Sequence, residues 1–155
     1  MSKKIRKIVC IGGGNGMPKA VLAGLKKQSV ELSVICAMLD SGGSAGRERE
    51  LYKTNVSFGD IRRSFLELSE ISQDAKDVLA FRDSKGTVIA NILGTAAVYL
   101  TGDYEKAFKV YRELLQIPSR YQIFPSTVND ATLYAVLENG QTVKGEANID
   151  VPIHN

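Results

Sequence analysis

The chain has 155 residues and a mass of 16.9 kDa, with 44% apolar and 24% charged residues. That composition suits one globular domain and excludes collagen-like, low-complexity and disordered classes. Twenty basic against seventeen acidic residues give a net charge of +3, compatible with an anionic ligand but too weak to indicate nucleic acid. Two cysteines without a spacing signature exclude a disulfide scaffold or a Cys-rich zinc module. The single histidine, His154, stands one residue from the end and argues against His-based metal or triad chemistry.

The basic N-terminus, Met1 to Lys7, leads into a strand-like run rather than a secretory segment. Ile5 to Ile11 is apolar on both faces and reads as a buried parallel strand. Gly12-Gly13-Gly14-Asn15-Gly16 breaks it, and Met17 to Gln28 reads as a helix with Pro18 in its first turn. Leu32 to Leu39 is a second buried strand, ending at Asp40. Residues 5–40 thus form a strand, glycine turn, helix, strand unit, which favours a parallel sheet with a right-handed crossover. Ile61 to Ile71 has helical spacing. Gly86 to Leu100 is apolar nearly all round and reads as a buried helix too short to span a membrane. Asp103 is a plausible cap for a helix from Asp103 to Ile117, which Pro118 stops. Thr132 to Leu137, Asn139-Gly140 and Gln141 to Ile149 read as a hairpin. No repeat or linker interrupts the chain, so residues 1–155 read as one domain. Two buried strands plus a hairpin look incomplete, as though the chain were a fragment or were completed by a second copy. The location expected is cytoplasmic, with Cys10 and Cys36 reduced and inert in the core.

Five segments could carry chemistry. Gly12 to Gly16 lies between strand and helix, where glycines allow positive φ and close approach, and where a helix N-terminus favours an anion. The dinucleotide fingerprint fails, because Met17 stands at its last glycine position. The segment reads as a phosphate or nucleotide loop of another type, or as a tight turn. Asp40-Ser41-Gly42-Gly43-Ser44-Ala45-Gly46-Arg47 follows the second strand at the same sheet edge, offering amides, two hydroxyls, a carboxylate and a guanidinium to a phosphate plus a ribose, sugar or metal. In Phe58-Gly59-Asp60-Ile61-Arg62-Arg63, Asp60 could be a helix N-cap and the arginines solvated. Asn91, within the apolar helix, must find partners and caps a turn or faces a ligand. Phe124 to Thr127 reads as a turn with two hydroxyls.

Taken in order, these motifs resemble the CofD/YvcK family, whose branches are 2-phospho-L-lactate transferase and the YvcK gluconeogenesis factor. The family pattern GGGTG, ADDGGSSGR, PGDIR, HSLGN, LPAT and a hairpin ending in GE is matched by Gly12 to Gly16, Asp40 to Arg47, Gly59 to Arg62, Thr87 to Asn91, Pro125 to Thr127 and Gly145-Glu146. The second and third segments are closer to the YvcK branch, whereas Gly16-Met17-Pro18-Lys19 echoes the transferase. Family members are about twice this long, so the resemblance implies that a C-terminal half is missing. Asn15 replaces a threonine, Ser41 replaces the second aspartate of the pair, and Thr87 and Ala90 replace the His and Gly of HSLGN. Ser41 weakens a two-carboxylate magnesium clamp, and Thr87 removes acid–base work by that histidine.

The resemblance implies a Rossmann-like α/β three-layer sandwich, with a mostly parallel sheet and a C-terminal β-hairpin. It implies a nucleotide derivative at the strand carboxyl ends: UDP-N-acetylglucosamine or a related UDP-sugar in the YvcK branch, with a regulatory role in gluconeogenic growth and cell shape. The expected ligand set is Gly12, Gly13, Gly14, Asn15, Gly16, Asp40, Ser41, Gly42, Gly43, Ser44, Arg47, Gly59, Asp60, Arg62, Asn91 and Thr127. Within it, amides of Gly13 to Gly16 hold a diphosphate, and Arg47 and Arg62 add charge. Asp40, Ser44, Asn91 and Thr127 hold ribose, base or sugar. No catalytic residue is expected. The alternative is a transferase moving a phospholactyl group from a guanosine diphosphate carrier to a deazaflavin alcohol, with Mg2+ on Asp40 and Asp60. A plain NAD-binding Rossmann domain, with Asp40 on the ribose, is a third reading. A nucleotide diphosphate derivative is the expected partner, alone or alongside a second copy of the chain, and neither nucleic acid nor membrane is expected.

Overall fold

In the computed structural model, which describes residues 5–150, the first strand, β1, spans Arg6–Gly12. Beyond the glycine loop the chain winds as a π-helical segment over Met17–Leu22 and continues as α-helix over Ala23–Leu25, together α1. Pro18 lies in the first turn, where its missing N–H breaks no helical bond. Strand β2, Val30–Cys36, runs parallel to β1 with Arg6 opposite Val30 and Gly12 opposite Cys36. The expected crossover unit is therefore present, with β2 shifted toward the N-terminus. A third parallel strand, β3 (Tyr121–Pro125), pairs with β2 and gives the order β1-β2-β3. The sheet thus has three parallel strands rather than two, and part of the Phe124 to Thr127 turn belongs to β3.

The three strands end together. Ala37 N–H donates to the Gly12 carbonyl at 3.0 Å, and Ser126 N–H to the Cys36 carbonyl at 2.8 Å. Both glycine loops and the Ser126-Thr127 turn consequently leave the sheet at one carboxyl edge. Burial alternates along β2, with Val30, Leu32, Val34 and Cys36 inside. The face bearing Cys10, Leu32, Val34, Tyr121 and Ile123 belongs to the core. On the opposite face Val9 is 62% and Ile11 77% exposed, so β1 is an edge strand buried on one side only. The described residues leave that second face, which includes the exposed Phe124, uncovered.

The remaining helices are α2 (Gly43–Tyr52), α3 (Phe58–Leu68), α4 (Gln73–Ala80), α5 (Ile89–Thr101) and α6 (Tyr104–Leu114). The cap of α3 is Ser57, whose hydroxyl accepts from Gly59 N–H at 3.3 Å. Asp60 therefore stands in the first turn instead of capping it, and its carboxylate is free to face the glycine loop. Asp103 caps α6 as expected, accepting from Lys106 N–H at 3.1 Å. Helix α5 buries Ala90, Asn91, Gly94, Thr95, Ala97 and Val98 but leaves Tyr99 and Leu100 exposed, so it is not buried all round. Phe58, Phe65, Phe108 and Tyr111 interlock beneath the sheet, with ring centroids 4.8 Å apart for Phe65–Tyr111 and 6.2 Å for the stacked Phe65–Phe108 pair.

Strands β4 (Tyr134–Val136) and β5 (Thr142–Lys144) form the hairpin around Asn139-Gly140. The return strand stops at Lys144 rather than running to Ile149, because Glu146–Ile149 turns into a short helix, α7, that docks on the second glycine loop. There Ala147 N–H donates to Ser41 Oγ at 3.1 Å. Cys10 and Cys36 are free and buried, as expected of core thiols. Burial raises the Cys36 thiol to about 11, opposed by the Ser64 hydroxyl, whose Oγ lies 3.2 Å from Sγ and can hydrogen-bond the thiolate. His154 lies outside the described residues. Among those residues, no helix is long and apolar enough to cross a membrane.

Candidate functional site at the carboxyl edge of the sheet

None of Gly12 to Gly16 has a positive φ, so the first loop does not need glycine for backbone conformation. Gly14 needs it for room: a Cβ there would lie 2.5 Å from Asp60 Cα and 2.6 Å from Asp60 Oδ1. Gly59 is equally constrained, because a Cβ there would overlap the Asp40 carboxylate and touch Ala45. Gly59-Asp60 is therefore the wedge that joins the two loops. The first loop packs on Asp60, and the second, through Asp40 and Ala45, packs on Gly59. Asp40 also makes a turn just ahead of α2, where its Oδ1 accepts from Gly42 N–H at 3.0 Å.

Three carboxylates meet here. Burial raises Asp60 above the ordinary aspartate range and the Asp40 charge adds to it, opposed by the Gly14 N–H and the Arg63 and Arg62 charges. Glu146 is raised by burial and by Asp40, Asp150 and Asp60, while the N–H of Ser41, at 3.4 Å, works against the shift. A carboxyl raised in the folded state favours folding while protonated. The Asp60 contribution is thus complete below the ordinary aspartate value and is lost as pH rises through the raised one. In thermal melts from about pH 4 to 7, the native chain is expected to lose more stability than Asp60→Asn as the pH rises. Parallel profiles would contradict a crowded, half-buried Asp60.

The other expected residues divide into groups. A Cβ on Gly13 would lie 3.7 Å from Asp60 Oδ2, and Ser41 and Gly42 contact α7, so these three share the junction. Gly43 adopts φ +51 at the start of α2. Gly12 ends β1, while Asn15 and Gly16 are exposed at the loop tip. Ser44 and Asn91 come together in the interior: Asn91 Nδ2 donates to Ser44 Oγ at 3.4 Å, and Ser44 donates to Glu48. Glu48 escapes a reading of the sequence, because Arg47-Glu48-Arg49-Glu50 has the pattern of a solvated run. It is buried with one carboxylate oxygen unpartnered, as is Asn91 Oδ1, and burial raises its carboxyl. Arg47 is exposed and donates to the Lys85 carbonyl at 2.5 Å, which holds it against the Lys85-Gly86 turn. Thr127 accepts from Asn129 N–H at 3.0 Å in a local turn at the same sheet edge. Arg62 is buried and lines a neighbouring cleft with Gly14 and Asn15. Glu146 matches the family pattern in sequence, but only the fold brings it to Ser41.

Among the described residues, no cluster of three or more His, Cys, Asp or Glu side chains has metal-binding geometry. Mg2+ commonly takes one or two protein carboxylates and completes its shell with water and ligand phosphates. Asp40 and Asp60, close enough for one charge to raise the other, fit that donor set.

A sequence model of the family described as 2-phospho-L-lactate transferase CofD matches residues 8–155. A gluconeogenesis factor of Listeria innocua is 38% identical over 155 residues, covering 96% of this chain and 47% of that protein. A gluconeogenesis factor of Bacillus subtilis is 32% identical, covering 92% of this chain and 45% of that protein. The crystal structure of a Bacillus halodurans protein assigned to the UPF0052 family superposes with a TM-score of 0.86 at 26% identity, covering 96% of this chain and 48% of that one. The chain thus spans about half the length of the curated relatives it matches.

Proposed function

The chain belongs to the CofD family, and from that premise we propose that it is the nucleotide-sugar-binding part of a gluconeogenesis factor of the YvcK type. Its ligand is UDP-N-acetylglucosamine or a close UDP-sugar, sensed in the cytoplasm and linked to carbon metabolism and cell shape. The observation that carries the reading is the Gly59-Asp60 wedge, which packs two glycine loops against one another at a single sheet edge. Such edges are where open parallel sheets take ligands. With the Gly14 N–H given to Asp60, the amides of Gly13, Asn15 and Gly16 bind the diphosphate, and Arg62 adds charge. Asp40 and Ser41 accept and donate to hydroxyls, while Ser44, Asn91 and Glu48 hold the start of α2 in place. Thr127 closes the edge beside the ends of β2 and β3.

Calorimetric titration with UDP-N-acetylglucosamine is expected to show saturable binding with one ligand per chain. Failure to bind uridine or guanosine nucleotides, by this chain and by a version continued to the length of its relatives, would remove the reading.

The crowding of Asp40 and Asp60 favours a second reading, the phospholactyl transferase. Mg2+ held by these carboxylates would neutralise phosphate charge in that chemistry. Asp40 and Asp60 would orient the donor's diphosphate against the first loop. Magnesium-dependent product from a guanosine diphospho-lactate donor is its test, and Ser41 in place of a carboxylate counts against it.

A further inference from the structure

Helix α2 turns one carboxylate inward, toward α5. Glu48 is 6% exposed and, among the described residues, forms no ion pair. The charges that face it are those of Arg47, on its own helix and drawn off to the Lys85 carbonyl, and of Arg62 on α3. Helix α5 brings no charged residue. Three polar groups meet at this point. Ser44 Oγ accepts from Val88 N–H at 3.3 Å and from Asn91 Nδ2 at 3.4 Å, and gives its own proton to Glu48. The Asn91 amide is within hydrogen-bond reach of the Glu48 carboxyl as well. Two buried atoms are left over, Glu48 Oε2 and Asn91 Oδ1. Both are acceptors, so what the cluster lacks is a donor. Turning the Asn91 amide over does not supply one, because it sets Oδ1 beside Ser44 Oγ, whose single proton Glu48 already takes. A buried carboxylate with neither a contacting cation nor a full set of donors is costly, and each unpaired acceptor adds to that cost.

We propose that Glu48 is carried as the neutral acid, its proton bridging to Asn91, and that it is a positioning residue that ties the first turn of α2 to α5. The proton supplies the missing donor and removes the uncompensated charge. Burial, which raises the carboxyl, outweighs the opposing Ser44 hydroxyl and the Arg47 and Arg62 charges. The first turn of α2 continues the second glycine loop, so the same proton steadies Ser41 to Ser44 and the packing of Asp40 and Ala45 on Gly59. A carboxyl raised in the folded state favours folding while protonated. The tie is therefore complete below the ordinary glutamate value and is lost as pH rises through the raised one. The state of Glu48 needs no ligand; only its effect on sugar-nucleotide affinity rests on the function proposed above.

The test is carbon-detected NMR of the isotopically labelled 155-residue chain from about pH 4 to 8. The Glu48 carboxyl carbon is expected to titrate above the ordinary glutamate value of about 4.3, with the Val88 N–H and the Asn91 side-chain amide moving at the same midpoint. Glu48→Gln keeps a neutral donor at every pH. It is expected to melt within about 2 °C of the native chain at about pH 4 and about 2 °C or more above it at about pH 8, and to abolish the titration of Val88 and Asn91. A Glu48 midpoint in the ordinary range, as an ionised carboxylate bridged to Asn91 by water would give, overturns the proposal. So do Val88 and Asn91 amides that ignore the Glu48 titration, or a Glu48→Gln chain no more stable than the native one at the higher pH. Should Glu48→Gln fail to fold, the carbon and amide titrations of the native chain decide alone. A raised Glu48 midpoint without UDP-N-acetylglucosamine binding keeps the tie and removes the nucleotide-sugar reading. Sugar-nucleotide binding with an ordinary Glu48 midpoint does the reverse.

Discussion

Phe65→Ala is expected to lower the unfolding free energy by about 3–5 kcal/mol, read as a shifted urea midpoint at unchanged slope. Phe65 is fully buried on α3, stacked against Phe108 and edge-on to Tyr111. Truncation removes the transfer energy of the ring and both aromatic contacts, and leaves a cavity that the sheet above cannot fill. Domains carry roughly 5–15 kcal/mol in total, so the variant sits near the edge of folding. Phe65→Leu retains most of the volume and is expected to lose less than half as much. The effect reaches the site because the same helix carries Gly59, Asp60 and Arg62. A loss below about 1 kcal/mol for the alanine variant would mean that the ring is not packed as described.

Within one glycine loop, two substitutions are expected to act with opposite signs. Gly14→Ala drives a methyl group into the backbone of Asp60, with Cα at 2.5 Å and the carbonyl oxygen at 2.9 Å. Backbone cannot rotate out of the way as a side chain can, so the loop or α3 must shift. The expected destabilisation is about 1–3 kcal/mol, with nucleotide binding reduced beyond it because the wedge is displaced. Gly16 has φ −78 and ψ −49, ordinary helical values, and a Cβ there meets nothing within 4 Å. Gly16→Ala is therefore expected to stabilise by about 0.4–1 kcal/mol through the unfolded chain. Chemical denaturation of both variants checks the contrast. Equal effects would place the first loop away from Asp60.

The unit from β1 to β2 is legible in the sequence because its signals are local: two apolar runs, a glycine cluster and Pro18. β3 is not, because Tyr121 to Pro125 contains Gln122 and Pro125 and becomes a strand only by pairing with the distant Leu32 to Cys36. α2 hides in a glycine-rich segment with an Arg-Glu-Arg-Glu body that shows no apolar face. Its N-cap is Gly42, with no side-chain cap, and the Asx turn of Asp40 just before it leaves no apolar signal. At the site, the residue types of Asp40 and Asp60 are visible, but the contact of Asp40 with Gly59 is tertiary and leaves no sequence period. Glu48 looks solvated among alternating charges.

Amide chemical shifts of isotopically labelled chain, followed during titration with UDP-N-acetylglucosamine, test the shared site most directly. Concerted shifts, saturating at one ligand concentration, are expected at Gly13 to Gly16, at Ser41 to Ser44 and at Gly59-Asp60. Shifts confined to one of these segments, or shifts saturating at different concentrations, would contradict a single cradle.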